Sequence, residues 1–390
     1  MTDDHSLNRR RFLKITSAIG AGAIVASALP KEVFSQDVKT PDKPATNIQD
    51  AMKHPRVENS MPGKFPGKVV EVIHDKSVIE NKPESKAVNS MVSAGMLGLT
   101  GASDLKTAWR TFFNPGDRIG IKVNPVAGKE LSTSIEVTRT VIAQLIDAGI
   151  PVEYIMIWDR REFELEETGF TPANFPGIAI KGTECKIDGS FTDASGKLFS
   201  EQRIDKDWYY WADVEGKYDA ETLPYMVNEG KYSYFSKICT REVDKIINIP
   251  ILKNAGASVT LCMKNLAYGA ITNTGRLHKE LWSETTAEAC AFPPLRDKVV
   301  LNIVDGIRGC YNGGPGYNPQ FVFDFKCMLF GTDPVAVDRI GYEIIQKKRK
   351  EEGVQKDESP RGRQFMILAQ QLGLGTQDLD KIEWKKTELT

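Results

Sequence analysis

The sequence contains few of the residues that most metal and redox sites require. Only four histidines occur in 390 residues, and the six cysteines are scattered without a Cys-x-x-Cys pair. A multi-histidine zinc or copper site is therefore not expected, and no iron–sulfur cluster is expected either. Disulfides between distant cysteines, and a divalent cation held by carboxylates, are left open.

The chain also lacks an excess of charge of either sign. Its 51 basic and 52 acidic residues leave no surplus of cations to follow a phosphate backbone, so general nucleic-acid binding is not expected. No Gly-x-Ser-x-Gly elbow of a serine hydrolase is present. The glycine cluster at 313–316 lacks the Lys-Ser/Thr continuation of phosphate-binding loops, which excludes that class of site.

The N-terminal 35 residues have the pattern of an export signal. In "NRRRFLKITSAIGAGAIVASALP", Arg9 and Arg10 precede a weakly apolar stretch that is too short and too rich in small residues for a comfortable transmembrane span. The pattern is similar to the twin-arginine signal, with cleavage after Ala28 or Ser35; an uncleaved anchor is the alternative. We therefore expect export to the periplasm or exterior through the twin-arginine translocase, with no membrane span after the signal.

The rest of the chain has the alternating pattern of an α/β protein. Residues 36–65 are polar and aperiodic, which predicts a polar arm or linker. From 66 to 350, apolar strands such as "RIGIKV" alternate with amphipathic segments, which predicts an open, mostly parallel sheet flanked by helices. Residues 160–236 interrupt this pattern and are predicted to form an aromatic-rich insertion. Residues 351–390 are expected to be a C-terminal extension packed on the domain.

Lysine and asparagine recur together after two apolar strands. Lys122 and Asn124 follow "RIGI", and Lys253 and Asn254 follow "KIINIPIL". Because ligands bind beyond the carboxyl ends of strands in open parallel sheets, we expect these side chains to face one cleft. Solvated lysines at strand ends, and asparagines that only form turns, would give the same pattern.

A third lysine lies in a segment with a helical pattern, "SVTLCMKNLAYG". Here Lys264 precedes Asn265, and Thr260 would share a helix face with Lys264 because the two are four residues apart. Lysines brought close together lower each other's pKa unless an anion compensates. The pattern therefore predicts a centre that binds a small anionic molecule or transfers a proton. Two unrelated surface lysines are the alternative.

Three aspartates accompany these lysines. Asp305 ends the predicted strand "KVVLNIVDG", a place that suits a general base, a hydroxyl acceptor or a metal ligand. In the loop that follows, Gly314 and Gly316 would let backbone amides approach a ligand, or would only form a turn. Asp333 precedes a proline and predicts a helix N-cap, and Asp338 lies one turn further on.

Three further features admit two interpretations each. His278 lies in a polar stretch, which indicates an exposed side chain, although proton transfer is the alternative. Cys310 is either an inert structural thiol or a reactive one. The run "WYYW" at 208–211 either packs a small lobe or stacks on a planar ligand.

The order of "GDRIGIKVNP", "IINIPILKN", "VTLCMKNLAYG", "VDGIRG" and "GTDPVAVD" resembles the DUF362 family, a family named for its unknown function. The resemblance spans about residues 66–350. Many members have Lys-Thr-His where this chain has Lys253-Asn254-Ala255, and the cysteine motif of the ferredoxin-like members is missing. The resemblance implies that family motif positions are occupied by Lys122, Asn124, Lys253, Thr260, Lys264, Asn265, Asp305, Gly314, Gly316, Asp333 and Asp338.

These features predict an enzyme that acts on a small anionic substrate. The predicted catalytic residues are Lys253, Lys264 and Asp305. A periplasmic protein that captures an anion without turnover, and an accessory protein of an envelope redox system, are the alternatives. The predicted ligand-binding residues are Lys122, Asn124, Asn254, Thr260, Asn265, Gly314, Gly316 and Asp338.

Overall fold

The computed structural model describes residues 43–187, 190–215, 230–256, 258–354 and 362–390. The predicted export signal at 1–35 and the first residues of the predicted arm lie outside these ranges. No helix in the described part of the chain is long and apolar enough to cross a membrane.

The described residues contain fifteen strands. Most are short, and β12 is the longest because it runs through the middle of the main sheet. Their bounds are β1 (Lys68–His74), β2 (Val78–Ile79), β3 (Lys82–Pro83), β4 (Ile119–Lys122), β5 (Ile155–Trp158), β6 (Ala179–Lys181), β7 (Ile204–Trp211), β8 (Tyr232–Ser236), β9 (Lys245–Asn248), β10 (Ile251–Ala255), β11 (Ser258–Val259), β12 (Val299–Cys310), β13 (Val322–Phe323), β14 (Cys327–Gly331) and β15 (Glu383–Leu389).

The α-helices lie between these strands and in the C-terminal part of the chain. The two longest pack on opposite faces of the main sheet. Their bounds are α1 (Ile48–Met52), α2 (Ser85–Thr100), α3 (Leu105–Arg110), α4 (Ile135–Asp147), α5 (Glu162–Glu167), α6 (Phe199–Arg203), α7 (Cys262–Ala270), α8 (Leu277–Glu280), α9 (Trp282–Glu288), α10 (Pro293–Arg296), α11 (Pro334–Glu351) and α12 (Gln364–Gln371).

Eleven strands form one mixed sheet in the order β15-β1-β14-β12-β9-β4-β5-β6; in addition, β10 and β13 pair with β12, and β11 pairs with β10. The run β12-β9-β4-β5-β6 is parallel throughout, and β10 is parallel to β12. Strand β14 is antiparallel to both of its neighbours. The prediction of an α/β fold with a mostly parallel sheet is therefore confirmed.

Helices bury a hydrophobic core on each face of this sheet. On one face, Met91 of α2 and Val141 of α4 pack near Ile121. On the other face, Leu266 of α7 and Ile340 of α11 belong to the second core. Burial of each such side chain contributes about 1.5–3 kcal/mol, so the two cores fix the helices relative to the strand ends.

The described part of the predicted arm, residues 43–65, packs against the domain. Asn47 forms two hydrogen bonds with the backbone of Trp211. The backbone N–H of Asn47 donates to the carbonyl oxygen of Trp211 at 3.1 Å, and the backbone N–H of Trp211 donates to Oδ1 of Asn47 at 2.7 Å. Arg296 donates to backbone carbonyls of the same segment, at Ala51, His54 and Pro55.

The segment predicted to be an insertion, residues 160–236, divides into two parts. Strand β6 pairs in parallel with β5 and so extends the main sheet, which the sequence pattern did not indicate. Strands β7 and β8 form a separate antiparallel pair that carries the aromatic run. Tyr210 is buried there and donates to Glu288 Oε2 at 2.9 Å, as expected of a packed lobe. Residues 188–189 and 216–229 lie outside the described residues.

The C-terminal extension contributes a strand to the main sheet. Strand β15 pairs in parallel with β1 over seven residues, and α12 packs on α9 and α11. Residues 355–361 of the extension lie outside the described part.

Asp333 is the N-cap of α11, as predicted. Its Oδ1 accepts from the backbone N–H groups of Val335 and Ala336 at 3.0 and 2.9 Å. Its Oδ2 accepts from those of Gly67 and Thr376, both at 3.1 Å. One buried carboxylate therefore joins the start of α11 to the chain before β1 and to the C-terminal segment.

We expect Asp333→Ala to lower the free energy of unfolding by about 2–4 kcal/mol, because it leaves buried backbone N–H groups without an acceptor. Chemical denaturation measures the loss. The matched control is Asp104→Ala at the exposed N-cap of α3, where one backbone N–H is freed and about 1 kcal/mol is expected. Equal losses in the two variants would contradict the joining role of Asp333.

Candidate functional site

The candidate site lies where the carboxyl ends of β4, β5 and β9 meet helix α7. Lys122 ends β4, and Asn124 follows two residues later on the same side. Asp159 and Arg160 follow β5 directly. Because the strands are parallel and adjacent, their ends bring residues that are far apart in sequence to one edge of the sheet.

Helix α7 is held over this edge by its N-terminus. The backbone N–H groups of Cys262 and Met263 donate to the two carboxylate oxygens of Asp338 at 2.6 and 3.0 Å. Burial raises the pKa of Asp338 to about 7. Both oxygens are engaged with the start of the helix, so the structure gives Asp338 the task of positioning α7.

Four asparagines form a hydrogen-bonded chain between α7 and the sheet, which we call the asparagine chain. The Nδ2 of Asn124 donates to Oδ1 of Asn265 at 2.9 Å, and the Nδ2 of Asn265 donates to Oδ1 of Asn248 at 2.8 Å. The Nδ2 of Asn248 then donates to Oδ1 of Asn302 at 2.9 Å. The last Nδ2 donates to the carbonyl oxygen of Thr332 at 3.4 Å.

The asparagine chain runs in one direction. Each amide donates its N–H to the next member and accepts a hydrogen bond on the side nearer the lysines. The side-chain carbonyl oxygens of the first two members, Asn124 and Asn265, therefore face ammonium groups. Lys253 Nζ donates to Asn124 Oδ1 at 2.9 Å, and Lys122 Nζ donates to Asn265 Oδ1 at 3.1 Å. Aligned dipoles of this kind strengthen one another in a low-dielectric interior, which helps to hold the lysines in place.

Lys122 is fully partnered. Its Nζ donates to the carbonyl oxygen of Val123 at 2.8 Å and to Asn265, and it forms a short, buried ion pair with Asp159. Gly269 of α7 makes room for this pair, because a Cβ there would overlap Lys122 Cε and lie against Asp159. Burial lowers the pKa of Lys122, while its three acceptors, one of them the carboxylate of Asp159, favour the ammonium form and fix its position.

Lys253 is buried with a single hydrogen-bond partner. Its side chain is inaccessible to solvent, and its Nζ donates only to Asn124 among the residues that the structure describes. Burial lowers the pKa of Lys253 to about 8. This lysine can therefore exchange a proton close to neutral pH.

Lys264 is buried without a hydrogen-bond or ion-pair partner in the described part of the chain. Its side chain is 7% exposed, and its Nζ lies 5.1 Å from the ring centre of Tyr268 and 5.3 Å from that of Trp282. Burial, the charge of Lys253 and the charge of Arg160 lower the pKa of Lys264 to about 7. Within the described residues, no carboxylate compensates this ammonium group.

Two polar atoms at the site are buried and have no hydrogen-bond partner within the described ranges, Asp159 Oδ2 and Thr260 Oγ1, and the buried hydroxyl of Tyr268 lies beside that of Thr285. Buried polar groups are nearly always satisfied, so such a group calls for a water or a ligand. Arg160 lies at the same edge and contacts the hydroxyl of Thr274 and, at 3.3 Å, the carboxylate of Glu184.

Asp305 is not part of this group. Strand β12 continues to Cys310, so Asp305 lies within the strand and not at its end as predicted. Its oxygens accept from the backbone N–H groups of Ser134 at 2.8 Å and Ile307 at 3.2 Å, and burial raises its pKa to about 6. No hydrogen bond or ion pair among the described residues joins Asp305 to any of the three lysines.

The second prediction that needs correction concerns Thr260. Helix α7 begins at Cys262, so Thr260 precedes the helix and does not share a helical face with Lys264. Its backbone N–H donates to the carbonyl oxygen of Lys253 at 3.0 Å, which ties the segment before α7 to β10.

Asn254 and the glycine-rich loop meet beside β10. The Nδ2 of Asn254 donates to the carbonyl oxygens of Gly256 at 3.1 Å and Ser258 at 2.9 Å, which fixes the turn between β10 and β11. A Cβ at Gly314 would overlap the carbonyl oxygen of Asn254, so a glycine is required there for packing. Gly316 lies in the same loop, two residues further on.

His278 and Cys310 take the simpler of their two interpretations. His278 is exposed at the surface, but its ring centre lies 4.6 Å from that of Tyr268, and desolvation of the ring with the charges of Lys264 and Arg160 lowers its pKa to about 3, so the imidazole is neutral. The Cys310 thiol is buried and donates to the carbonyl oxygen of Asn312 at 2.9 Å; burial raises its pKa, which makes it less reactive.

No group of three or more His, Cys, Asp or Glu side chains that could hold a metal ion occurs in the described ranges. The six cysteines are free and buried. A cavity of about 300 Å³ lies elsewhere, and none of the site residues line it. It is lined by Arg339, Arg363, Gln377, Asp378, Leu379, Asp380 and Lys381.

Residues 217–343 match the family model described as "Domain of unknown function (DUF362)". The chain contains a DUF362 domain. Lys253, Lys264 and Asn265 lie within the matched part of the chain, whereas Lys122 and Asn124 precede it. This match confirms the resemblance over those residues.

The other comparisons add little. No curated protein matches the sequence. A solved structure of a protein from Thermotoga maritima matches with a TM-score of 0.37 and 7% sequence identity, and covers 70% of this chain. This chain spans 60% of the length of that protein.

Sequence reasoning missed four residues of the site: Asp159, Arg160, Asn248 and Asn302. The first two follow the apolar strand "IMIW", just as Lys122 follows "IGI", so the same strand-end rule could have found them. Asn248 and Asn302 interrupt otherwise apolar strands, and a polar side chain within a buried strand indicates an internal hydrogen bond.

We expect Lys264→Met to stabilise the fold at neutral and acidic pH. The pKa of Lys264 is about 7 in the folded state against an ordinary 10.5, so the unfolded chain binds more protons between these pH values. The penalty for burying the ammonium group is full below pH 7 and vanishes as the pH rises to 10.5. The gain should reach a few kcal/mol, at about 1.4 kcal/mol per unit of pKa difference.

Chemical denaturation of both proteins between pH 6 and pH 10 measures this gain. The control is Lys279→Met on the neighbouring helix α8, where the side chain is exposed and no gain is expected. Loss of stability in Lys264→Met at pH 6 would show that this lysine supports the fold.

Proposed function

We propose that this DUF362 protein is an exported enzyme that acts on a small anionic substrate at the lysine site, which we define as Lys253, Lys264 and Arg160. The observation that carries the proposal is the state of Lys264. It is a buried cation beside two other cations, and the described residues supply no anion to it. A bound anionic group would be the missing partner.

Electrostatic cost supports this proposal. Burial of an unpaired ammonium group is expensive, and a neutral side chain of similar size would fill the same space between Tyr268 and Trp282. A chain that keeps a lysine there accepts lower stability, as active sites commonly do. An anion would raise the pKa of Lys264 again and recover part of this cost.

The lowered pKa values favour an enzyme over a binding protein. Lys253 at about 8 and Lys264 at about 7 can gain or lose a proton near neutral pH, which is the property required of a general base or nucleophile. A protein that only captures an anion needs permanently charged lysines in a cleft. Eleven of the described strands, including β4, β5, β9 and β10, which carry or precede the site residues, belong to one sheet.

Roles for the remaining residues follow from their contacts. We assign Lys122 and the asparagine chain to the positioning of Lys253 and α7, because their hydrogen bonds are made within the protein. Asp159 has one oxygen on Lys122 and one without a partner among the described residues. It therefore replaces Asp305 as the carboxylate of the site.

Export through the twin-arginine translocase is part of the proposal. It is supported by Arg9 and Arg10 before the apolar stretch at 15–30. The six buried, free cysteines fit a protein that folds in a reducing compartment before it crosses the membrane.

A thermal-shift experiment with acetate, sulfate and inorganic phosphate tests the anion site at constant ionic strength. The expected result is stabilisation of the wild-type chain by at least one of these anions, of about 3 kcal/mol at one hundred times its dissociation constant. The stabilisation should disappear in Lys264→Met and persist in Lys279→Met, whose lysine is exposed. Equal stabilisation of wild type and Lys264→Met would place anion binding elsewhere and refute the proposal.

A further inference from the structure

We propose that the substrate is a small 2-oxo acid and that the amine of Lys264 forms an imine with its carbonyl group. This inference rests on the proposed function, since the carboxylate of the acid would occupy the lysine site. It names the substrate class and gives Lys264 a covalent role.

The contrast between two lysines of the same region carries the inference. Lys122 Nζ has three hydrogen-bond acceptors, including a carboxylate, which hold it as an ammonium group. Lys264 Nζ has no acceptor among the described residues, and aromatic rings surround it. A nucleophilic lysine must reach its neutral form with a free lone pair, and desolvation next to another cation is the usual means of producing one.

In this proposal the neighbouring cations, Arg160 and Lys253, would hold the carboxylate. Arg160 uses Nε and Nη1 on Glu184 and Thr274, so its Nη2 is left without a partner in the described part of the chain. Arg160 and Lys253 both lie close enough to Lys264 to lower its pKa. In a 2-oxo acid the carbonyl carbon is bonded directly to the carboxylate. A very small molecule of this class would therefore present its carboxylate to Arg160 and Lys253 and its carbonyl carbon to the amine of Lys264.

The chemistry balances without an oxidant or a reductant. The Nζ lone pair attacks the carbonyl carbon and forms a C–N bond, and a proton moves from nitrogen to the carbonyl oxygen. That oxygen accepts a second proton and leaves as water, while a C=N bond forms. The hydroxyl of Tyr268, whose ring centre lies 5.1 Å from Nζ, would relay the protons in this step.

The aromatic rings suit the product of this step. The protonated imine is a cation, and the rings of Tyr268 and Trp282 lie 5.1 and 5.3 Å from Nζ, a distance at which a ring face stabilises a cation.

Reductive trapping tests the inference. The full chain is incubated with pyruvate and sodium cyanoborohydride at neutral pH, so that hydride addition to the imine carbon leaves a stable secondary amine on the lysine. Intact-mass measurement and peptide mapping should show one adduct per chain, at Lys264. The adduct should be lost in Lys264→Met and in the charge-conserving Lys264→Arg, retained in Lys279→Met, and suppressed by acetate, which has a carboxylate but no ketone.

Adducts that are spread over surface lysines, or that persist in Lys264→Arg, would overturn the imine. The thermal-shift experiment separates the two proposals. If an anion stabilises wild type and not Lys264→Met while no adduct forms at Lys264, only the imine fails. If no anion distinguishes wild type from Lys264→Met, and no adduct forms, the proposed function fails as well.

Discussion

A buried positive charge that the described protein does not neutralise is the constraint on which the site depends. Lys264 enters the interior beside Lys253 and Arg160. Among the described residues, Asp159 pairs with Lys122 and Glu184 pairs with Arg160, and no carboxylate pairs with Lys253 or Lys264. The cost of that arrangement has to be offset elsewhere. The two cores on either face of the sheet offset it, and the tight cap of α7 on Asp338 keeps the helix from relaxing away.

The asparagine chain holds Lys122, Lys253 and helix α7 in fixed positions relative to the strands. Its members come from the end of β4, from β9, from α7 and from β12, so one line of hydrogen bonds crosses three parallel strands and the helix above them. Amides suit this task because each donates and accepts once along the line without adding charge. In the recurring lysine–asparagine pairs, the asparagines therefore orient neighbouring side chains through hydrogen bonds. The lysines differ in how many hydrogen-bond acceptors contact their Nζ atoms.

Strand-end reasoning predicted that Lys122, Asn124, Lys253 and Asn254 meet at one edge of the sheet, because parallel topology brings strand ends together, whereas Asn265 was expected there from the helical pattern of its own segment. The groups that contact each buried side chain could not be predicted in this way. Asp305 looked like a strand end because Asp-Gly commonly ends strands, but β12 continues through glycines that let it pass close to its neighbours. The ranking of the three lysines was also beyond the sequence, since it depends on which acceptors lie within hydrogen-bond distance of each Nζ.

The most direct test of the central claim is an NMR titration of the Lys264 side-chain signals in the isotopically labelled, anion-free protein, assigned with Lys264→Arg. The account predicts a pKa of about 7 for Lys264, which rises when acetate or another stabilising anion is added. A pKa near the ordinary 10.5 in the anion-free protein would contradict it, because the amine would then already be hydrated or paired.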